Sequence, residues 1–203
     1  MRTRTAVAAG AAALAVGLAG CGGSSSPGSS GNAGPTKTVD PNTAEISPAG
    51  DIPDNQAFVA YSPPGSGYSL KVPEGWARTT SSNGVTSFTD KLNAIQVQSM
   101  PAQVALTARD ARSTELPTLA KRVKGFKVGT VSTVTRSAGH AVRIAYQARS
   151  PADPVTGRSH TNAVERYVFF HAGKDVVLTL SGPKGADNVD PWKIVTDSLR
   201  FTR

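Results

Sequence analysis

The sequence predicts an α+β domain tethered at its N-terminus to a membrane. Period-two alternation of apolar residues dominates from Tyr68 to Gly182, and helical spacing appears near Thr107–Arg122 and Asp190–Leu199. Strands that outnumber segregated helices mean α+β. The tether follows from the single cysteine among 203 residues, Cys21, which closes an apolar run and opens a stretch of Gly, Ser and Pro.

Arg2 and Arg4 precede an uncharged run from Thr5 to Gly20 built mainly of Ala, Val, Leu and Gly, the layout of a signal peptide. The run is shorter than the roughly 20 residues that a helix needs to cross a bilayer, so residues 1–20 are expected to be removed. Leu18-Ala19-Gly20-Cys21 resembles the lipobox of bacterial lipoproteins. That resemblance implies cleavage between Gly20 and Cys21 and a diacylglyceryl group on the Cys21 thiol. Each buried methylene contributes about 0.8 kcal/mol, so two chains hold a protein where one lets it exchange. An ordinary secretory signal ending beside a chance cysteine is the alternative, and it would leave an exposed thiol. Thr3 separates Arg2 from Arg4, so the paired arginines of the twin-arginine route are absent. Residues 22–56 have few large apolar side chains and no periodicity, which predicts a disordered linker spanning about 30–35 Å. Residues 21–56 thus form the lipidated cysteine and tether.

Residues 57–203 have the length of one ordinary domain, held by packing without any cysteine. They carry 19 Lys and Arg against 10 Asp and Glu, a net charge of +9. In the cytosol that balance would point to nucleic acid. Export predicts instead the anionic lipid headgroups and wall polymers outside a bacterial membrane. The densest run, Lys121-Arg122-Val123-Lys124-Gly125-Phe126-Lys127, is expected to be a solvated helix end whose cations complement the helix dipole.

Tyr68, Leu70 and Val72 alternate in a strand that Pro73-Glu74-Gly75 closes. "VTSFTD" and "AIQVQSM" flank Lys91-Leu92-Asn93 as a hairpin, with Phe88, Ile95 and Val97 turned inward. Thr107 with Asp110 resembles a capping box opening a helix that Pro117 should break or kink. "FKVGTVSTV" and "HAVRIAYQA" form strands joined through Ser137-Ala138-Gly139. "AVERYVFFH" pairs with "DVVLTLS" across Ala172-Gly173-Lys174, the expected centre of the sheet. The chain finishes in a helix with Asp190 as N-cap, Pro191 at its first position and Trp192, Val195 and Leu199 on one face.

Chemistry is sparse. No G-x-S-x-G elbow occurs, and His140, His160 and His171 match no local metal motif. Edge positions are their expected role. Asp153 is expected to shape a turn, and "SGPKGADN" to connect strand to helix, since Lys184 is followed by Gly185 without the Ser or Thr of a phosphate loop. Trp76 and Trp192 are expected to be core plugs. No catalytic, cofactor-binding or metal residue is assigned.

"AYSPPGSGYSLKVPEGW", "ERYVFFHAGKDVVLTLSG" and "DPWKIVTDSLRF" together resemble the PsbP-like family, which is also represented among bacterial lipoproteins of the LpqN type. The likeness runs from about Ala60 to Phe201. It implies a central antiparallel sheet with helices on both faces, an α/β/α sandwich, and an accessory or binding role without catalysis. The expected function is a membrane-anchored, extracytoplasmic module docking on an envelope protein or wall component. Two alternatives stand beside it: a carrier of a lipid or other hydrophobic ligand, and a hydrolase whose site assembles only in space. Cys21→Ala is expected to move the protein from the membrane fraction into the medium, and fractionation followed by immunoblotting checks it.

Overall fold

A computed structural model describes residues 49–202. The signal-peptide assignment, the Gly20–Cys21 cleavage and lipidation site, and the tether up to residue 48 lie outside the described residues.

The domain opens with strands β1 (Phe58–Tyr61), β2 (Tyr68–Pro73), β3 (Ala77–Thr80), β4 (Thr86–Asp90) and β5 (Asn93–Pro101). A helical segment follows, composed of α1 (Ala108–Asp110), a π turn (Ala111–Glu115) and α2 (Leu116–Arg122). Four long strands, β6 (Lys127–Arg136), β7 (Gly139–Arg149), β8 (Thr161–His171) and β9 (Lys174–Pro183), lead to α3 (Val189–Ser198) and the short β10 (Arg200–Phe201). Pairing among the described residues is antiparallel throughout. The large sheet runs β3-β4-β5-β9-β8-β7-β6 and the small one β1-β2-β10.

Alternation along the central strands divides the core between two faces. Tyr167 and Phe169 of β8, with Val176, Leu178 and Leu180 of β9 and Ile95 and Val97 of β5, meet Leu70 of the small sheet, Trp192 and Val195 of α3, and Leu199 just past its end. The opposite parity, Val142, Ile144 and Tyr146 of β7 with Val164 of β8, packs against Ala111, Leu116 and Leu119 of the other helical segment. The predicted sandwich is present, with β9 at its middle. Each large side chain buried this way contributes about 1.5–3 kcal/mol. The β8–β9 register is set by a two-residue turn in which Ala172 and Gly173 have φ 46° and 76°. Two consecutive left-handed residues match the twist of the flanking strands.

Several local expectations change. Pro117 does not end the helix: Leu116 N–H donates to the Ala111 carbonyl, widening the turn just before the proline. A wider turn accommodates a residue that lacks an N–H and whose ring crowds the preceding turn. Strands β1 and β3 were not predicted; β3 is the exposed edge strand Ala-Arg-Thr-Thr, which has no apolar alternation to reveal it. The last helix begins after Asn188, not Asp190, and the Asn188 side chain does not cap it.

That side chain is engaged elsewhere, which also corrects the inner end of the linker. Asn188 Nδ2 donates to the Gly50 carbonyl at 3.0 Å and to Asn93 Oδ1 at 3.1 Å, while its Oδ1 accepts from Ile52 N–H at 2.8 Å. Asn93 Nδ2 donates to the same Gly50 carbonyl at 2.9 Å, and Asp51 Oδ1 accepts from Asp187 N–H. Ile52 is buried in the core. Residues 50–52 therefore belong to the domain, because the polar groups that fasten them come from distant loops. Gly182 lies under the knot, where an added Cβ would run into Asn93 Oδ1 and Asn188 Nδ2.

Asn188→Ala would leave the buried Ile52 amide unpaired and is expected to lower stability by about 2–3 kcal/mol. Urea unfolding measures the loss, and hydrogen exchange should show the Ile52 amide newly labile. Gly182→Ala should behave alike.

Candidate functional site

Beside α3, on the face of the sheet it covers, β6, β7 and β8 bring residues of the α3-facing parity into a cleft of about 370 Å³. Val134 and Arg136 come from β6, Arg143 from β7, and Ala163, Glu165 and Tyr167 from β8; Val189, Trp192 and Lys193 of α3 form the other wall. Alternation decides which side chains arrive: Arg143 lies opposite Tyr167 in register, and Ala145 opposite Glu165. The arginine and the glutamate are thus diagonal neighbours on one face. A smaller hollow of about 190 Å³ continues along the sheet, sharing Ala163, Glu165 and Trp192 and adding Lys127, Val128 and Gly129.

The polar floor is a connected network. Arg143 Nη2 donates to Glu165 Oε1, and Tyr167 Oη donates to Glu165 Oε2 at 2.6 Å. Arg136 Nη2 donates to Tyr167 Oη at 3.2 Å, and Arg136 Nε donates to Thr196 Oγ1 at 3.1 Å while lying 3.7 Å from Asp197. Burial pushes the Glu165 carboxyl up, but the hydrogen bonds from Arg143 and Tyr167 and the two arginine charges outweigh it, leaving its pKa below the ordinary 4.5. Burial, reinforced by Glu165, raises the Tyr167 phenol above 10.0. Glu165 is held ionised and Tyr167 protonated; neither is poised to exchange a proton near neutrality.

The residues singled out from sequence fall elsewhere, with one exception. Trp192 is in the core, as expected, and also lines this cleft. Trp76 packs against the core from its margin. His140 Nδ1 pairs with Thr135 Oγ1, and His171 stacks on Phe201. His160 Nδ1 lies 3.1 Å from Ser150 Oγ, the one histidine–serine contact that a hydrolase would require. Ser150, however, is buried, donates to the Pro151 carbonyl and accepts from the His160 amide, while His160 Nε2 has no partner to orient it. This arrangement closes a loop and lacks the orienting group of a triad. Among the described residues, no three His, Cys, Asp or Glu gather as metal ligands.

Asp153 shapes its turn by accepting from Val155 and Thr156, and these bonds lower its pKa. In the 181–188 loop, Lys184, Ala186 and Asp187 amides are bonded within the protein, which leaves a connecting loop. Lys121 and Arg122 occupy the last turn of α2, as the charge run predicted. A wider, open hollow near Tyr61 and Arg78 measures about 630 Å³, but its Tyr61, Thr80 and Thr86 hydroxyls bond one another.

Sequence reasoning missed the Arg136–Arg143–Glu165–Tyr167 network, because its members are spread over three strands with no spacing to relate them. A charged residue at inward parity in β7 and β8 was the available clue.

Comparison with solved structures places this architecture. The cyanobacterial PsbP of Synechocystis (CyanoP) superposes with a TM-score of 0.53 at 16% identity, over 78% of this chain and 96% of its own. The chain has the PsbP-like fold. LpqN of Mycobacterium tuberculosis, described as involved in cell envelope biogenesis, gives a TM-score of 0.36 at 17% identity over 74% and 87% of the two chains. A Bacteroides thetaiotaomicron protein gives 0.48 at 14% identity over 71% of this chain, which spans about half, 48%, of that one. No family model and no curated protein matches the sequence.

A carboxyl with a depressed folded pKa contributes stability that is present above its unfolded value and lost as pH falls through the folded one. Glu165→Gln should therefore cost about 1–2 kcal/mol at pH 7, allowing for solvent at the cleft mouth. The gap between wild type and variant, measured by urea unfolding, should narrow below about pH 4.5.

Proposed function

We propose that this chain is a non-catalytic accessory module of the bacterial cell envelope, held on the outer face of the membrane by a lipid on Cys21, with the cleft beside α3 as its binding site. One observation carries the binding reading: Glu165 and Tyr167, the cleft's carboxyl and phenol, are held by each other and by Arg143 and Arg136, so the site is built to hold a shape and a charge pattern rather than to move protons. The lipobox at Leu18–Cys21, the Gly/Ser/Pro tether and the basic domain support the location. The partner on this reading is an envelope protein or a wall component, with anionic lipid near by and no nucleic acid.

A ligand-carrier role draws support from the same cleft. Its volume, at the lower end of small-ligand pockets, favours a small occupant over an enclosed lipid. The hydrolase alternative has the His160–Ser150 pair in its favour and the missing orienting group against it.

In-cell crosslinking with mass spectrometry, on the anchored protein and on Cys21→Ala, tests the proposal. The expected result is a defined envelope partner crosslinked to the domain and lost with the anchor. Specific turnover by the purified chain, abolished by one polar substitution, would defeat the non-catalytic reading.

A further inference from the structure

The cleft beside α3 is unevenly satisfied. Glu165 is the single carboxylate lining either of its two hollows, and both of its oxygens are already taken by Arg143 and Tyr167. The cations are less committed. Arg143 spends one side-chain N–H on Glu165 and makes no other side-chain hydrogen bond among the described residues, although a guanidinium carries five donors. Arg136 and Lys193 share Asp197 at the rim, and Lys127 stands at the far end of the smaller hollow. The lining is therefore rich in positive charge and in donors, and holds no uncommitted carboxylate.

Trp192 adds an independent sign. The residue is 8% exposed and forms a wall common to both hollows, yet its indole N–H has no hydrogen-bond partner. Buried indole N–H groups ordinarily find one, and this one is an unmet donor in the residue that the two hollows share. Apart from Asn188, Tyr146 and Gln147, the remaining walls are apolar. Val134 and Ala163 line the larger hollow, and two valines left open to solvent, Val189 at 71% and Val128 at 58% exposed, stand at the two hollows. Exposed branched apolar residues beside a cationic pocket suit an occupant with an apolar body. A cationic ligand would meet like charge here, and a neutral polar ligand would leave the excess positive charge unanswered.

We propose that this cleft binds an oxyanion attached to an apolar body, a phosphate ester in chemical class, with the oxyanion held by Arg143 and the cationic rim and the apolar part lying against Val134, Ala163 and Val189. The proposal rests on the cleft being the binding site, and it specifies what enters. Arginine suits this task because its planar fork offers parallel donors to phosphate oxygens. Phosphate esters of this form occur both as phospholipid headgroups and as free phosphorylated metabolites, and the test separates the two.

The sequence contains two tryptophans, so Trp76→Phe makes Trp192 the sole indole reporter. The full chain carrying Cys21→Ala and Trp76→Phe is titrated with octyl phosphate below its micelle concentration, with octyl glucoside, and with inorganic phosphate, while Trp192 fluorescence is followed. The expected result is saturable binding of octyl phosphate, at least about tenfold tighter than either comparator, and weakened by salt. Val189→Glu, at a solvent-exposed position, and Arg143→Gln should each weaken it at least about tenfold. If Arg143→Gln fails to fold, Val189→Glu retains the test. Competition by phosphatidylglycerol vesicles, and not by phosphatidylcholine vesicles, identifies a lipid headgroup as the source; saturable binding without such competition identifies a free phosphate ester. Equal affinity for octyl glucoside, an unchanged affinity in Val189→Glu, or no saturable binding of octyl phosphate would overturn the proposal. These readouts are independent of the crosslinking, so a missing protein partner and an empty cleft are distinguishable failures.

Discussion

The position of α3, and with it the cleft, depends on a knot of buried amides at one end of the sandwich. Asn188 stands at the start of the helix but turns its carboxamide away from the helix N-terminus. There it joins the Gly50 carbonyl, the Ile52 amide and Asn93 at the start of β5. Three chain segments far apart in sequence meet there, packed over Gly182, where no side chain would fit. A buried amide left unpaired costs more than a paired one gains, so such a knot specifies one arrangement of its segments more sharply than apolar contact could. Trp192, one turn further along the helix, is consequently delivered to the sheet at a fixed place.

The two-faced sheet supplies the rest of the site. Strands β7 and β8 are covered on both sides, yet their α3-facing parity includes Arg143, Glu165 and Tyr167 among Ala141 and Phe169. Charges set into a sheet face lose hydration, and pairing offsets this only where every partner is present. Here the glutamate has two donors, and the tyrosine both donates and accepts. The carboxylate and the phenol are thereby held out of proton transfer. Arg143 keeps side-chain donors to spare.

Much of the fold was legible because alternation and turn chemistry are local. The β8–β9 hairpin, the Phe88–Ile95 hairpin and the helix carrying Trp192 and Val195 follow directly from spacing, although that helix ends at Ser198, one residue before Leu199. Strand β3 escaped because an exposed edge strand such as Ala77–Thr80 has no buried face to set a period. The helix around Pro117 misled because a π turn can absorb a proline, and that accommodation depends on packing against β6 and β7. Asp190 looked like the cap because it precedes a proline, whereas the demand of Gly50 and Ile52 for hydrogen-bond partners recruited Asn188.

By itself the sequence determined the class of the domain and the order and faces of its main strands, since each is encoded within a few consecutive residues. Only the tertiary structure decided the site. Arg136, Arg143, Glu165 and Trp192 come from four elements spread along the chain, and no spacing relates them. Their meeting is set by strand register and by the long-range amide knot, which are properties of the folded assembly and of no single segment.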